Sequence, residues 1–217
     1  MIGMYQRGYA FVLEGDTEKV FYLSFLRFLA KKHGASLERR VDPDTPDVVY
    51  LLHREDAIDL IKMHTVNAIS QMPGAWNWVN SQCIRRYDKE MAWTVFLCYD
   101  MDSYQADVTA FQEGDWRNLR RKIRKTNEII DMAARADIED LLLTDLRGVC
   151  DYLGIEEVPD HLPGRKGKAK MKRLFRSCGA GYQEGERAAE LIEALDMQLI
   201  MKKTDVPLSR MELCFFD

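Results

Sequence analysis

The chain has 217 residues, of which 47% are hydrophobic, and it carries 31 Lys and Arg against 35 Asp and Glu. This size and composition support a folded domain with a substantial core and exclude a wholly disordered chain. No apolar run has the length of a membrane span, and residues 1–7 lack the pattern of a secretory signal, so we expect a cytoplasmic protein that does not enter a membrane. The five cysteines form no CxxC pair, which argues against a disulfide framework or a zinc knuckle.

The charges are segregated along the chain although the formal net charge is only −4. Six of the nine residues at 117–125 and seven of the twelve at 165–176 are basic, and neither stretch contains an acid. Acids gather instead at 14–18, 100–107 and 137–145. This distribution is typical of a carboxylate-lined metal centre flanked by surfaces that attract phosphate.

The first half of the chain predicts the opening of an α/β fold. A short apolar run at 9–13 predicts a buried strand, and Thr17 is a suitable N-cap for a helix over about 18–32. Residues 36–51 predict a second strand and an edge segment. Residues 54–90 are interpreted as a mostly helical insertion or cap.

The second half continues the alternation of strands and helices. The strongest strand pattern lies at 92–99, followed by a basic helix at about 115–125 and a fourth strand at 128–134. A helix over about 138–153, a loosely structured segment at 159–170 and a helical extension over about 171–217 follow, the last with an amphipathic helix at 184–199. The fold class predicted is therefore α/β, one domain over 1–217 with a mostly parallel sheet flanked by helices.

Acidic side chains follow the predicted strands where each of them ends. Glu14 follows the first strand and Glu18 lies one helical turn later, while Asp100 and Asp102 follow the strand at 92–99. A third cluster after the fourth strand region consists of Asp137, Glu139 and Asp140. Because the carboxyl ends of parallel strands share one edge of the sheet, these acids are candidates for one site. Oxygen ligands favour Mg²⁺ or Mn²⁺ over zinc.

Two motifs carry a resemblance to a known family. The segment VLEGDTE at 12–18, followed by CYDMDS at 98–103, resembles the Toprim fold of topoisomerases, primases and small nucleases, whose sheet is Rossmann-like. The Glu-Gly-x-Thr-Glu form, together with ADIEDLLL at 136–143, is most similar to the OLD-type branch, which includes nucleases of phage-defence systems and mobile elements. The sequence departs from that branch at Arg135 and at Ala136. Relatives often have Ser near the position of Ala136.

The resemblance implies a nuclease with two divalent cations and a catalytic lysine. It gives metal-ligand roles to Glu14, Glu18, Asp100 and Asp102, with Asp137 and Glu139 competing for the third acid. Lys166, Lys168 and Lys170 compete for the lysine, and Lys168 is taken as catalytic together with Glu14, Asp100 and Asp102. The ATPase domain of fused OLD proteins is missing from the sequence, so an ATPase partner would be a separate polypeptide.

The basic segments predict contacts to a nucleic-acid backbone. We expect Arg120, Arg121 and the lysines at 166, 168 and 170 to contact phosphate, whether the substrate is DNA or RNA. The alternative interpretation is a non-catalytic, Toprim-like module that binds nucleic acid or a partner protein. The same residues also have a purely structural interpretation, in which the acids cap helices and the basic runs are solvated surfaces. A homo-oligomer is open under each of these interpretations. Trp76 and Trp78 are interpreted as packing residues, not as a stacking platform.

Overall fold

The computed structural model of the chain describes residues 5–42, 45, 47–87, 90–101 and 113–217. The strands are β1 (Arg7–Leu13), β2 (Ser36–Val41), β3 (Val48–Arg54), β4 (Ala57–Thr65), β5 (Ala92–Asp100) and β6 (Glu128–Ala134). The α-helices are α1 (Asp16–Lys32), α2 (Trp76–Trp78), α3 (Glu113–Lys122), α4 (Ile138–Leu142), α5 (Leu146–Leu153), α6 (Gly167–Ser177), α7 (Ala189–Ala194), α8 (Met197–Lys203) and α9 (Leu208–Phe216). The fold class predicted from the sequence, an α/β fold with helices flanking a mostly parallel sheet, is confirmed.

The described strands form one six-stranded sheet in the order β2-β3-β4-β1-β5-β6. β1 pairs in parallel with β4 on one side and with β5 on the other. The Asn127 amide donates to the Trp93 carbonyl, and the Met101 amide donates to the Ala134 carbonyl. The bonded positions thus advance in the same direction along β5 and β6, as in a parallel pair. β3 is antiparallel to both β2 and β4, so β2 and β3 form an antiparallel extension of a parallel, Rossmann-like sheet.

The described residues form two compact units. The first lies within Met1–Gly15, Leu26–Cys98 and Phe111–Asp131, and its core includes the fully buried Phe11, Trp93 and Phe96. The second lies within Asp16–Phe25, Tyr99–Ala110 and Met132–Asp217, and its core includes Phe21 and Phe215. Within the described ranges, no helix is both long and apolar enough to cross a membrane.

The helical prediction for 54–90 is wrong in its first part, where β4 lies beside β1 in the middle of the sheet. Two charged residues, Asp59 and Lys62, interrupt the apolar pattern of β4, yet they are only 0% and 1% exposed. Their burial is compensated by ion pairs with residues distant in sequence, Arg7 for Asp59 and Asp42 for Lys62. The remainder of the segment is helical, with a 3₁₀ turn at Ile69–Gly74, then α2 and a π-helical turn at Val79–Ile84.

Several helices begin or end at other residues than the sequence predicts. The N-cap of α1 is Gly15 and not Thr17, whose hydroxyl instead accepts a hydrogen bond from the Gly185 amide at 2.9 Å. The helix predicted over 138–153 is interrupted because Asp145 caps α5, accepting from the amide of Gly148. α6 already begins at Gly167, inside the segment predicted to be loosely structured. The helix predicted over 184–199 breaks before α8, which Asp196 caps.

Candidate metal centre

The first two acidic motifs meet at the carboxyl edge of neighbouring parallel strands. β1 and β5 are in register with Leu13 opposite Cys98, and the Glu14 amide continues the ladder by donating to the Cys98 carbonyl at 2.9 Å. Glu14 and Asp100 therefore leave the sheet side by side. Glu18 joins them because α1 starts at Asp16, which places this residue in the first helical turn.

Three carboxylates form the group that could hold a cation. Glu14, Glu18 and Asp100 each offer one oxygen, and these oxygens lie within 4.8 Å of one another. Glu18 is buried, with 6% of its surface exposed, whereas the other two are half-buried. Among the residues that the structure describes, this is the one group of three such ligands. The convergence expected from the strand ends is thus observed for these three acids.

The spacing of the group is close to that of oxygen ligands around a hard divalent cation. Ligand oxygens at about 2.1 Å from an octahedral Mg²⁺ lie about 3.0 Å apart in adjacent positions and about 4.2 Å apart in opposite positions. Two carboxylate charges at the 4.8 Å limit repel by about 3 kcal/mol at an effective dielectric constant of about 20. The amino end of α1 offsets part of this repulsion, because the positive end of the helix dipole favours nearby anions. A bound cation would remove the remainder.

Asp102 was predicted as a further ligand and as a catalytic residue. It lies outside the described residues, which stop at 101 and resume at 113. The described part of the second acidic motif therefore consists of Asp100 alone.

Two acids of the third cluster connect α4 to α6. Asp137 is the N-cap of α4, and its carboxylate accepts hydrogen bonds from the amides of Asp140 at 3.0 Å and Lys168 at 3.1 Å. Asp140 accepts from the amide of Gly167 and from the Lys170 ammonium, both at 2.9 Å. These contacts join the first turns of two helices, and neither acid belongs to the three-carboxylate group.

Glu139, the remaining acid of this cluster, is also outside that group. It is 3% exposed, and its carboxylate accepts a hydrogen bond of 3.0 Å from the Tyr182 hydroxyl. Burial, reinforced by the neighbouring charge of Asp137, raises the pKa of Glu139 to about 7. Burial likewise raises the pKa of Asp137. No sequence pattern had marked Tyr182, because it lies outside every acidic or basic run.

The three candidate lysines all lie beside carboxylates. Lys168 forms an ion pair with Glu184, and this hydrogen bond is the main cause that raises the pKa of Lys168. Lys170 pairs with Asp140. Burial raises the pKa of Asp137, and the charge of Lys166, the N-cap of α6, opposes a small part of that rise. The 166–170 segment is thus neutralised locally by acids of its own unit.

The two candidate arginines of α3 have different surroundings. Arg120 donates to the Ile129 carbonyl at 3.1 Å and forms an ion pair with Asp131 of β6. Arg121 is exposed and donates to the neutral side chain of Asn118 at 3.0 Å. Only the second guanidinium is therefore presented to solvent without a carboxylate partner among the described residues.

No protein-family model matches this chain, and no curated protein matches it either. The class of this protein therefore rests on its structure. It is an α/β protein with a Rossmann-like, mostly parallel sheet and a carboxylate group at the carboxyl edge of two central strands.

Proposed function

We propose that the protein is a divalent-metal-dependent nuclease that hydrolyses phosphodiester bonds of DNA or RNA. The observation that carries the proposal is the convergence of Glu14, Glu18 and Asp100 within 4.8 Å at the carboxyl edge of the sheet. The resemblance of the two motifs around these acids to Toprim nucleases of the OLD type supports the same activity. In this proposal the protein acts in the cytoplasm as a phage-defence effector, with a separate ATPase as a partner.

The three carboxylates would hold Mg²⁺ or Mn²⁺, and Asp102 is proposed to complete a site for a second ion. When bound, the cations supply an activated water and stabilise the leaving oxygen of the scissile phosphate. The contribution of the chain is a set of anionic ligands held on rigid elements, with Glu14 and Asp100 attached to adjacent strands and Glu18 to the first turn of α1.

Isothermal titration with Mn²⁺ tests the metal site. We expect Glu14→Gln, Glu18→Gln and Asp100→Asn each to weaken Mn²⁺ binding by more than tenfold, since even outer partners of metal ligands cost about 10–100-fold. Glu157→Gln, at an exposed acid, is the control and should bind as the parent does. Asp102→Asn should reduce the number of bound ions from two to one. Unchanged affinity in all three ligand variants would exclude this site.

Incubation with plasmid, single-stranded DNA and total RNA tests the reaction. We expect cleavage of at least one substrate with Mn²⁺, none with EDTA and none by Glu14→Gln. A parent protein that binds Mn²⁺ at these residues but cleaves no substrate would favour the second candidate, a binding module. The same family resemblance supports that candidate. A binding module needs no catalytic lysine, and this agrees with the observation that Lys168 and Lys170 are paired with carboxylates.

A further inference from the structure

A second candidate site lies in the first unit, at the junction of the helical segment 76–85 with the end of α3. It is a cavity of about 670 Å³, within the range of small-ligand pockets. We call it the basic pocket, and it is lined by Trp76, Asn80, Ile84, Arg85, Arg121, Lys122, Arg124 and Lys125. It shares no residue with the three-carboxylate group.

The floor of the basic pocket is held by a buried amide. Asn80 is only 8% exposed, and its side-chain nitrogen donates to the Lys122 carbonyl at 2.8 Å. Its side-chain oxygen accepts from the Arg124 amide at 3.4 Å. Both ends of one buried side chain thus fasten the turn after α3 to the helical segment. The backbone that carries Lys122 and Arg124 is therefore held against the helical segment by contacts within the protein.

The basic pocket concentrates positive charge that the protein does not neutralise. Five of the eight lining residues are cations, and none is a carboxylate. Within the described part of the chain, Arg85, Arg124 and Lys125 form no ion pair, whereas the neighbouring Arg120 is paired with Asp131. Five cations around one cavity repel one another, so a ligand with several negative charges would be favoured.

One wall of the pocket carries an aromatic ring. Trp76 is half-buried, and the Lys122 ammonium lies 4.9 Å from the centre of its ring, which is a cation–π contact. Ile84 adds apolar surface to the same cavity. Stacking on an aromatic side chain is how proteins hold a nucleobase without reading its identity. Trp78, by contrast, stacks on His64 at 4.8 Å and is a packing residue.

We infer that the basic pocket binds a nucleotide, with its phosphates on Arg121 and Arg124 and its base on Trp76. A simple anion would use only the cations of the pocket, and an apolar ligand would use only its aromatic wall. A nucleotide uses both. The nucleotide can be a free nucleoside triphosphate or an unpaired nucleotide of a strand. The inference does not rest on the proposed nuclease activity.

Isothermal titration in EDTA tests this site without metal-dependent cleavage. The probes are ATP, inorganic tripolyphosphate and a ten-residue oligothymidylate. We expect ATP to bind about 5- to 150-fold tighter than tripolyphosphate, because stacking adds about 1–3 kcal/mol per base, and 1.4 kcal/mol is tenfold. Trp76→Leu should abolish that difference and Trp76→Phe should retain most of it. Arg121→Gln/Arg124→Gln should weaken every probe at least tenfold.

The control is Lys31→Gln/Lys202→Gln, which removes two exposed cations that do not line the pocket. It should bind all three probes as the parent does, and thermal unfolding should show that every variant is folded. Tighter binding of ATP than of the oligonucleotide assigns a free nucleotide, and the reverse order with mutual competition assigns a strand. The inference is overturned if the parent binds none of the probes, if Arg121→Gln/Arg124→Gln binds normally, or if Trp76→Leu leaves the preference for ATP intact.

Discussion

Replacing Glu139 by glutamine should stabilise the protein at alkaline pH. The carboxylate is 3% exposed and lies beside the charge of Asp137, and both features disfavour its ionised form. Glutamine keeps the shape of the side chain and can still accept the hydrogen bond that Tyr182 donates. The substitution therefore removes a buried charge without creating a cavity.

The size of the effect follows from the pKa of Glu139. The pKa rises from 4.5 to about 7 on folding, and each pKa unit corresponds to 1.36 kcal/mol, so ionisation costs about 3 kcal/mol of folding free energy. Because the pKa of Glu139 is higher in the folded state than in the unfolded state, the protonated side chain contributes this free energy to stability in full below pH 4.5. The contribution is lost as the pH rises through 7. We expect Glu139→Gln to gain about 3 kcal/mol over the parent at pH 8 but only about 1 kcal/mol at pH 5.

Urea unfolding in EDTA at the two pH values measures the gain. Glu157→Gln is the matched control, because this glutamate is exposed and its replacement should change the free energy of unfolding by less than about 0.5 kcal/mol at either pH. A Glu139→Gln protein that is less stable than the parent at pH 8, or equally improved at both pH values, would refute the reasoning. Lower stability at pH 8 would mean that a cationic partner holds the carboxylate ionised in the folded state.

Two further substitutions test the packing. Gly167→Ala should destabilise by about 1–3 kcal/mol, since its Cβ would lie 2.1 Å from the amide nitrogen of Asp140, whereas Gly74→Ala, with nothing within 4 Å, should have little effect. Lys62→Met should destabilise by about 2–3 kcal/mol, because it leaves Asp42 buried with fewer partners. Urea unfolding measures both changes.

Unchanged stability of Gly167→Ala and Lys62→Met would contradict the two predictions. Equal stability of the two glycine variants would show that α6 can shift away from α4 without loss. A Lys62→Met protein as stable as the parent would show that Arg86 and Tyr87, which contact Asp42 at 3.0 and 2.8 Å, suffice to hold that carboxylate.

The sequence by itself predicted the strands whose side chains are nearly all apolar. β1, β5 and β6 lie at or close to the segments expected from the runs at 9–13, 92–99 and 128–134. The proximity of Glu14 and Asp100 followed from the same pattern, because parallel neighbours end at one edge of a sheet and their next residues must be close. A local pattern is sufficient where one element buries both of its faces, as β1 and β5 do.

Only the tertiary structure decided the features that depend on partners distant in sequence. β4 could not be predicted because Asp59 and Lys62 are buried, and their charges are compensated by residues outside this strand. For the same reason the sequence could not distinguish Arg120, which is paired, from Arg121, which lines the basic pocket. Charge and polarity are properties of a residue, but burial and pairing are set by what the fold places next to it.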